Sequence, residues 1–81
     1  MRTISLDKDK ILKQVGIRIK NIRTQQKLSR YQLAFEIKTS EKHIRQIENA
    51  EINTSIFKIF QIADALGVKP EEIINITKKN Y

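Results

Sequence analysis

The chain has no cysteine, one proline and two glycines among its 81 residues. Without cysteine there is no disulfide framework, no thiolate metal site and no cysteine nucleophile, and the chain suits a reducing interior. Few helix breakers, with Leu, Ile, Lys, Glu and Gln abundant, favour helices throughout. No stretch approaches the ~20 apolar residues of a membrane span, and the opening MRTISLDKDK lacks a signal peptide's apolar run. A cytoplasmic protein without membrane contact is expected. The marks of catalysis are missing too: no Gly-rich phosphate loop, no evident carboxylate pair, no nucleophile–base arrangement. Neither an enzyme, a cofactor nor a small-molecule ligand is expected.

What remains is a small basic domain. A length of 81 residues with 40% hydrophobic content fits one globular unit with a modest core, not a disordered tail. The net charge of +7 is unevenly spread. Residues 8–45 hold 11 Lys/Arg against 3 Asp/Glu, a net of +8; residues 46–81 hold 4 against 5, a net of −1. Such a cationic half favours a polyanionic partner, and nucleic acid is the commonest. Lysines and arginines that merely solubilise helix surfaces are the competing reading.

The stretch LSRYQLAFEIKTSEKHIRQIEN, residues 28–49, reads as two short amphipathic helices joined by a tight turn. Leu28, Leu33, Ala34, Ile37, Ile44 and Ile47 point inward, with Ala34 the small residue at the crossing. Glu41, Lys42, His43, Arg45 and Gln46 point outward. A rigid scaffold that holds out a helix of hydrogen-bonding side chains is what reading a DNA major groove requires. This is a helix-turn-helix pattern.

Five helices and no strands are expected, an all-α five-helix bundle. The first covers residues 9–26, with Leu12, Val15, Ile19 and Ile22 as its apolar stripe and Arg18, Lys20 and Lys27 off it. The second covers residues 30–37, with Ser29 as N-cap, Gln32 completing a capping box and Leu28 stapling onto the helix. The third starts near Ser40 and ends around Glu48 or Asn49. The fourth, residues 55–66, presents Ile56, Ile59, Phe60, Ile62, Ala63 and Leu66 before Gly67 stops it. Pro70 opens a fifth helix, with Glu71 and Glu72 at its positive end and Ile73, Ile74 and Ile76 along it. The domain is drawn over residues 9–76, between a basic-leaning arm, 1–8, and a tail, 77–81.

In this order IRIKNIR, LSRYQLAFEI, TSEKHIRQIEN and IFKIFQIADALGVKPEEII resemble the Cro/repressor-type, or Xre-like, helix-turn-helix family over residues 15–74. The resemblance implies a phage-repressor-like fold and a sequence-specific regulator binding double-stranded DNA as a homodimer, on palindromic half-sites roughly 34 Å apart. It also implies an ion pair between Arg23 and Glu48; two independently solvated charges are the plainer alternative. Two residues depart from the family pattern. Lys38 stands where a turn glycine is usual, and Ala50 where a glycine often ends the third helix. Either the turn or the helix end is expected to be reshaped there.

The resemblance and the chemistry of the side chains together assign roles. Lys42 and Arg45 can donate to guanine, Gln46 can pair bidentately with adenine, and Glu41 can accept from a cytosine amino group. Glu41 equally suits a first-turn charge that orients Lys42. His43, the one histidine, lacks a second ligand at zinc spacing and reads as a polar contact to base or phosphate. Ser29 and Arg30 at the start of the second helix are phosphate candidates, as are Ser40, Asn49, Asn53 and Thr54; capping competes for Ser29 and Asn49. Relatives commonly carry Gln where this chain has Arg30, which would serve a phosphate more strongly. Phe57, Phe60, Ile74 and Ile76, with Tyr81, are candidates for a dimer interface, against core roles for Phe60 and Ile74. Tyr31 and Phe35, one turn apart, read as packing. A helical protein-interaction module, or an antitoxin component whose main partner is another protein, is the alternative function.

Overall fold

Aspartate or serine opens four of the five helices in residues 7–75, the part of the chain that the computed structural model describes. The Asp7 carboxylate accepts from the Lys10 N–H at 3.2 Å and starts α1, Lys8–Gln25. Ser29 accepts from Gln32 while the Gln32 side chain accepts from the Ser29 N–H, a complete capping box at the head of α2, Arg30–Glu36. Ser40 takes the His43 N–H to begin α3, Glu41–Glu48. Ser55 takes the Lys58 N–H to begin α4, Ile56–Leu66. The fifth, α5, Pro70–Ile74, starts on proline, and the Glu72 carboxylate accepts from the Lys69 N–H. Each cap satisfies a backbone donor that a helix start leaves free.

The helices stop as uniformly as they start. Lys27, Lys38, Ala50 and Gly67 follow the ends of α1 to α4 with φ of 61°, 56°, 59° and 71°. At each, the next residue's N–H reaches back five positions to a helix carbonyl: Leu28 to Arg23, Thr39 to Ala34, Glu51 to Gln46 and Val68 to Ala63. This is the left-handed stop that glycine suits best, and three of the four positions lack it. A side chain in that conformation costs about 1 kcal/mol or more. The departures at Lys38 and Ala50 therefore leave the turn and the helix end in the geometry glycine would take. Lys27 was not expected to share it, because nothing in its sequence context marks it.

Val15 and Ile19 of α1, Leu33, Ala34 and Ile37 around α2, Ile44 and Ile47 of α3 and Ile59, Ile62, Ala63 and Leu66 of α4 meet in one core, closed by Ile73 of α5. Full burial of each isoleucine contributes roughly 1.5–3 kcal/mol. Ile22 and Leu28 are half-buried and pack against its edge, and Ile11 rather than the expected Leu12 joins them from the start of α1. On α4 the expected apolar set splits. Ile59, Ile62, Ala63 and Leu66 go inward, whereas Ile56 and Phe60 are 67% and 52% exposed. The core meets α4 along one stripe only, and Ile56 and Phe60 lie with Phe57 beside that stripe.

Tyr31 and Phe35 pack on each other, as expected of neighbours one turn apart. Their rings stack on each other with centroids 6.5 Å apart, but both side chains stand in solvent. Arg18, expected off the stripe, is half-buried and donates to the Glu72 carbonyl at 3.3 Å, tying α1 to α5. The first helix begins one residue inside the expected arm. Asp7 of that arm caps it, and residues 1–6 lie outside the described residues, as do Ile76 and the tail 77–81.

Candidate nucleic-acid interface

Eight residues make α3, about 12 Å of helix at 1.5 Å per residue, comparable with the ≈ 12 Å width of a B-DNA major groove. Ile44 and Ile47 anchor its inner side and are buried. On the outer side Glu41, Lys42 and Arg45 are exposed, and His43 and Gln46 are half-buried. The five residues expected to read bases thus lie on one helix, three in open solvent and two at its flank. Every one of them keeps a side chain reachable from outside.

Two features hold α3 in place. Ala34 of α2, 1% exposed, lets the two helices of the motif approach, as its small size suggests. The closer contact is one the sequence reading missed: Gly16 of α1. A methyl group on Gly16 would sit 2.7 Å from the Ile47 carbonyl oxygen and 2.8 Å from the Glu48 carbonyl carbon, and would overlap the Glu48 carbonyl oxygen. Here α1 runs against the C-terminal end of α3 with no room for a side chain. A glycine inside an otherwise regular helical stripe was the available signal.

The second feature is electrostatic. Arg23 donates from Nε to Glu48 Oε2 at 2.6 Å and from Nη2 to Oε1 at 3.0 Å, a two-pronged pair with both side chains buried. Its Nη1 donates to the Leu28 carbonyl at 2.7 Å. One guanidinium thus joins α1, the turn before α2 and the last residue of α3. Arg30 adds a third member, with its Nε 2.9 Å from Glu48 Oε1. This contact was not anticipated, because residues 30 and 48 come together only when α2 folds over the end of α3. Two cations on one carboxylate leave the cluster a net positive charge beside α3.

The remaining candidates lie around this frame. Ser29 and Ser40 are exposed, but their hydroxyls already cap α2 and α3. Asn49 and Asn53 are exposed in the segment after α3. The Thr54 hydroxyl is shielded from solvent and has no partner among the described residues. Phe57, Phe60 and Ile74 are 67%, 52% and 38% exposed, so core roles for Phe60 and Ile74 do not hold. No group of three His, Cys, Asp or Glu side chains among the described residues could hold a metal, and no described helix is long and apolar enough to cross a membrane.

This arrangement has known counterparts. The family model HTH_3, helix-turn-helix, matches residues 19–73, from the middle of α1 through α5. The chain belongs to the HTH_3 family of helix-turn-helix transcriptional regulators. An immunity repressor protein of Bacillus phage phi105 is 37% identical over 60 residues, which are 74% of this chain and 42% of the repressor. The control protein C.BamHI of Bacillus amyloliquefaciens is 33% identical over 63 residues, 76% of this chain and 78% of that protein. Among solved structures, the restriction-modification controller protein C.AhdI from Aeromonas hydrophila superposes with a TM-score of 0.75 at 31% identity. That superposition covers 76% of this chain and 94% of C.AhdI. HTH_3 proteins such as these are regulators that bind DNA, not enzymes.

Proposed function

We propose that this HTH_3 chain is a sequence-specific regulator of transcription that reads a palindromic operator as a homodimer. Its α3 enters the major groove with Lys42, Arg45 and Gln46 toward base edges, and Glu41 and His43 flank them. Arg30, Ser29, Ser40, Asn49 and Asn53 line the phosphate rims on either side, whereas the shielded Thr54 hydroxyl is withdrawn from that set. The observation that carries this reading is the two-sidedness of α3: Ile44, Ile47 and Glu48 are buried while Glu41, Lys42 and Arg45 project freely. Such a helix is rigidly mounted yet open to a ligand. The immunity repressor and the two control proteins among the relatives favour the same role, exercised in the cytoplasm with the DNA.

A single helix-turn-helix covers little DNA, and Ile56, Phe57, Phe60 and Ile74 supply the apolar area for a second copy. Selecting bound sequences from a random duplex pool tests both parts. A two-fold symmetric consensus with half-sites about one helical turn apart is expected. An asymmetric consensus removes the dimer, and no enrichment removes sequence-specific reading.

A second reading, a module or antitoxin component that mainly binds protein, draws on the stacked and solvent-exposed Tyr31–Phe35 pair. Salt separates the two. With ~6–10 phosphate contacts, affinity for DNA falls 10³–10⁵-fold between 50 and 200 mM salt. Binding that is nearly flat with salt favours the protein partner.

A further inference from the structure

Glu48 is answered twice over. Arg23 already meets both of its oxygens, at 2.6 and 3.0 Å, and the carboxylate is wholly buried. One arginine is enough to neutralise it, yet Arg30 brings a second guanidinium to Oε1 at 2.9 Å. The two arginines differ in what they keep free. Arg23 spends Nε, Nη1 and Nη2 inside the protein and its side chain is 8% exposed. Arg30 spends Nε alone, its side chain is 27% exposed, and its Nη groups have no partner among the described residues. A guanidinium is a planar fork, so fixing Nε also fixes the plane and direction of the outer N–H edge.

We propose that Glu48 is a positioning residue for DNA binding: it holds Arg30 by Nε with the outer edge of the guanidinium ready for a backbone phosphate. Glu48 itself touches no DNA. Arg23 keeps the carboxylate from turning, Glu48 keeps Arg30 from turning, and the phosphate contact is in place before DNA arrives. The inference rests on the DNA-binding reading above. It goes further by giving a buried anion, which by charge alone repels DNA, a favourable part in binding it. It also distinguishes arginine from lysine at position 30. A lysine there has three donors on one freely turning nitrogen, so bonding Glu48 fixes no outward edge toward a phosphate.

The test is a salt titration of binding to a mixed-sequence DNA duplex, with thermal melts to establish that each variant is folded at the temperature used. Arg30→Ala and Arg30→Lys are both expected to lower the slope of log affinity against log salt by about 0.9, the share of one phosphate. Arg30→Lys does so although it preserves the charge. Glu48→Gln is expected to weaken binding about tenfold, the worth of a charge-assisted hydrogen bond, although it raises the net charge by one. Arg30→Lys that keeps the wild-type slope, or folded Glu48→Gln that binds as well as wild type or better, overturns the proposal. Where Glu48→Gln does not fold, Arg30→Lys decides alone. A wild-type chain that binds no duplex at low salt overturns the DNA-binding reading instead.

Discussion

Two helices of this domain, α3 and α4, are built on the same plan and present opposite surfaces. Both begin on a serine cap, both stop on a left-handed residue, and both bury isoleucines on the inner side. Outward, α3 carries Glu41, Lys42 and Arg45, whereas α4 carries Ile56, Phe57 and Phe60. The inner faces explain the fold, since each supplies part of one core. The outer faces are free of that duty, so their chemistry reflects what the domain meets. Charged and amide groups suit a hydrated, polyanionic groove, and aromatic rings suit a surface that excludes water. A third case, the Tyr31–Phe35 pair on α2, is apolar like the outer face of α4 but consists of two stacked rings only.

Removing the mount of α3 is the most damaging way to break this contrast. Glu48→Ala strands the buried Arg23, and a loss of about 3–5 kcal/mol is expected in urea or thermal unfolding. An unchanged melting curve would mean that the pair does not hold the helix. Gly16→Ala comes next, at roughly 1–3 kcal/mol from overpacking, because carbonyl groups of Ile47 and Glu48 stand where the methyl must go. Alanine's better helix propensity offsets part of this, so a variant more stable than wild type would contradict the close approach.

Changes to the outer faces should leave the fold alone and separate the two functions. Gln46→Ala is expected to relax preference at one base position by ~1–3 kcal/mol, read by binding to a panel of single-base operator variants. Phe60→Ala should leave that preference intact and weaken self-association by roughly 1 kcal/mol or more, read by sedimentation. Exchange of these two outcomes would reverse the roles of α3 and α4. The smallest effect is expected from the helix stops. Lys38→Gly or Ala50→Gly relieves a left-handed side chain and should stabilise by less than about 1 kcal/mol, since glycine also loosens the unfolded chain. A clear destabilisation at either site would show that the side chain makes a contact worth more than the strain.

Much of this architecture was open to reading along the chain. The caps at Ser29 and Ser40, the stop at Gly67 and the start at Pro70 are short-range signals spoken by two to four neighbouring residues. The apolar period placed Val15, Ile19, Leu33, Ile44 and Ile62 in the core for the same reason. Of the site, the outward residues of α3 followed from that period, and the Arg23–Glu48 pair followed from resemblance to the family. Other features were out of reach. Helical period names an apolar face but not how wide a stripe the neighbours cover, so it grouped Ile56 with the buried residues of α4 and left Phe60 between the core and a dimer interface. The left-handed stop at Lys27 depends on where the chain must turn to bring α2 across.

Local order, then, was written into residue order: five capped helices, the polar ridge of α3 and the family pattern of residues 19–73. Folding added the meetings between distant positions. Gly16 against the end of α3, Arg18 on the Glu72 carbonyl and Arg30 on Glu48 each join residues 18 or more apart. Such contacts depend on the crossing geometry of whole helices, a sum over the packed core that no short window of sequence contains.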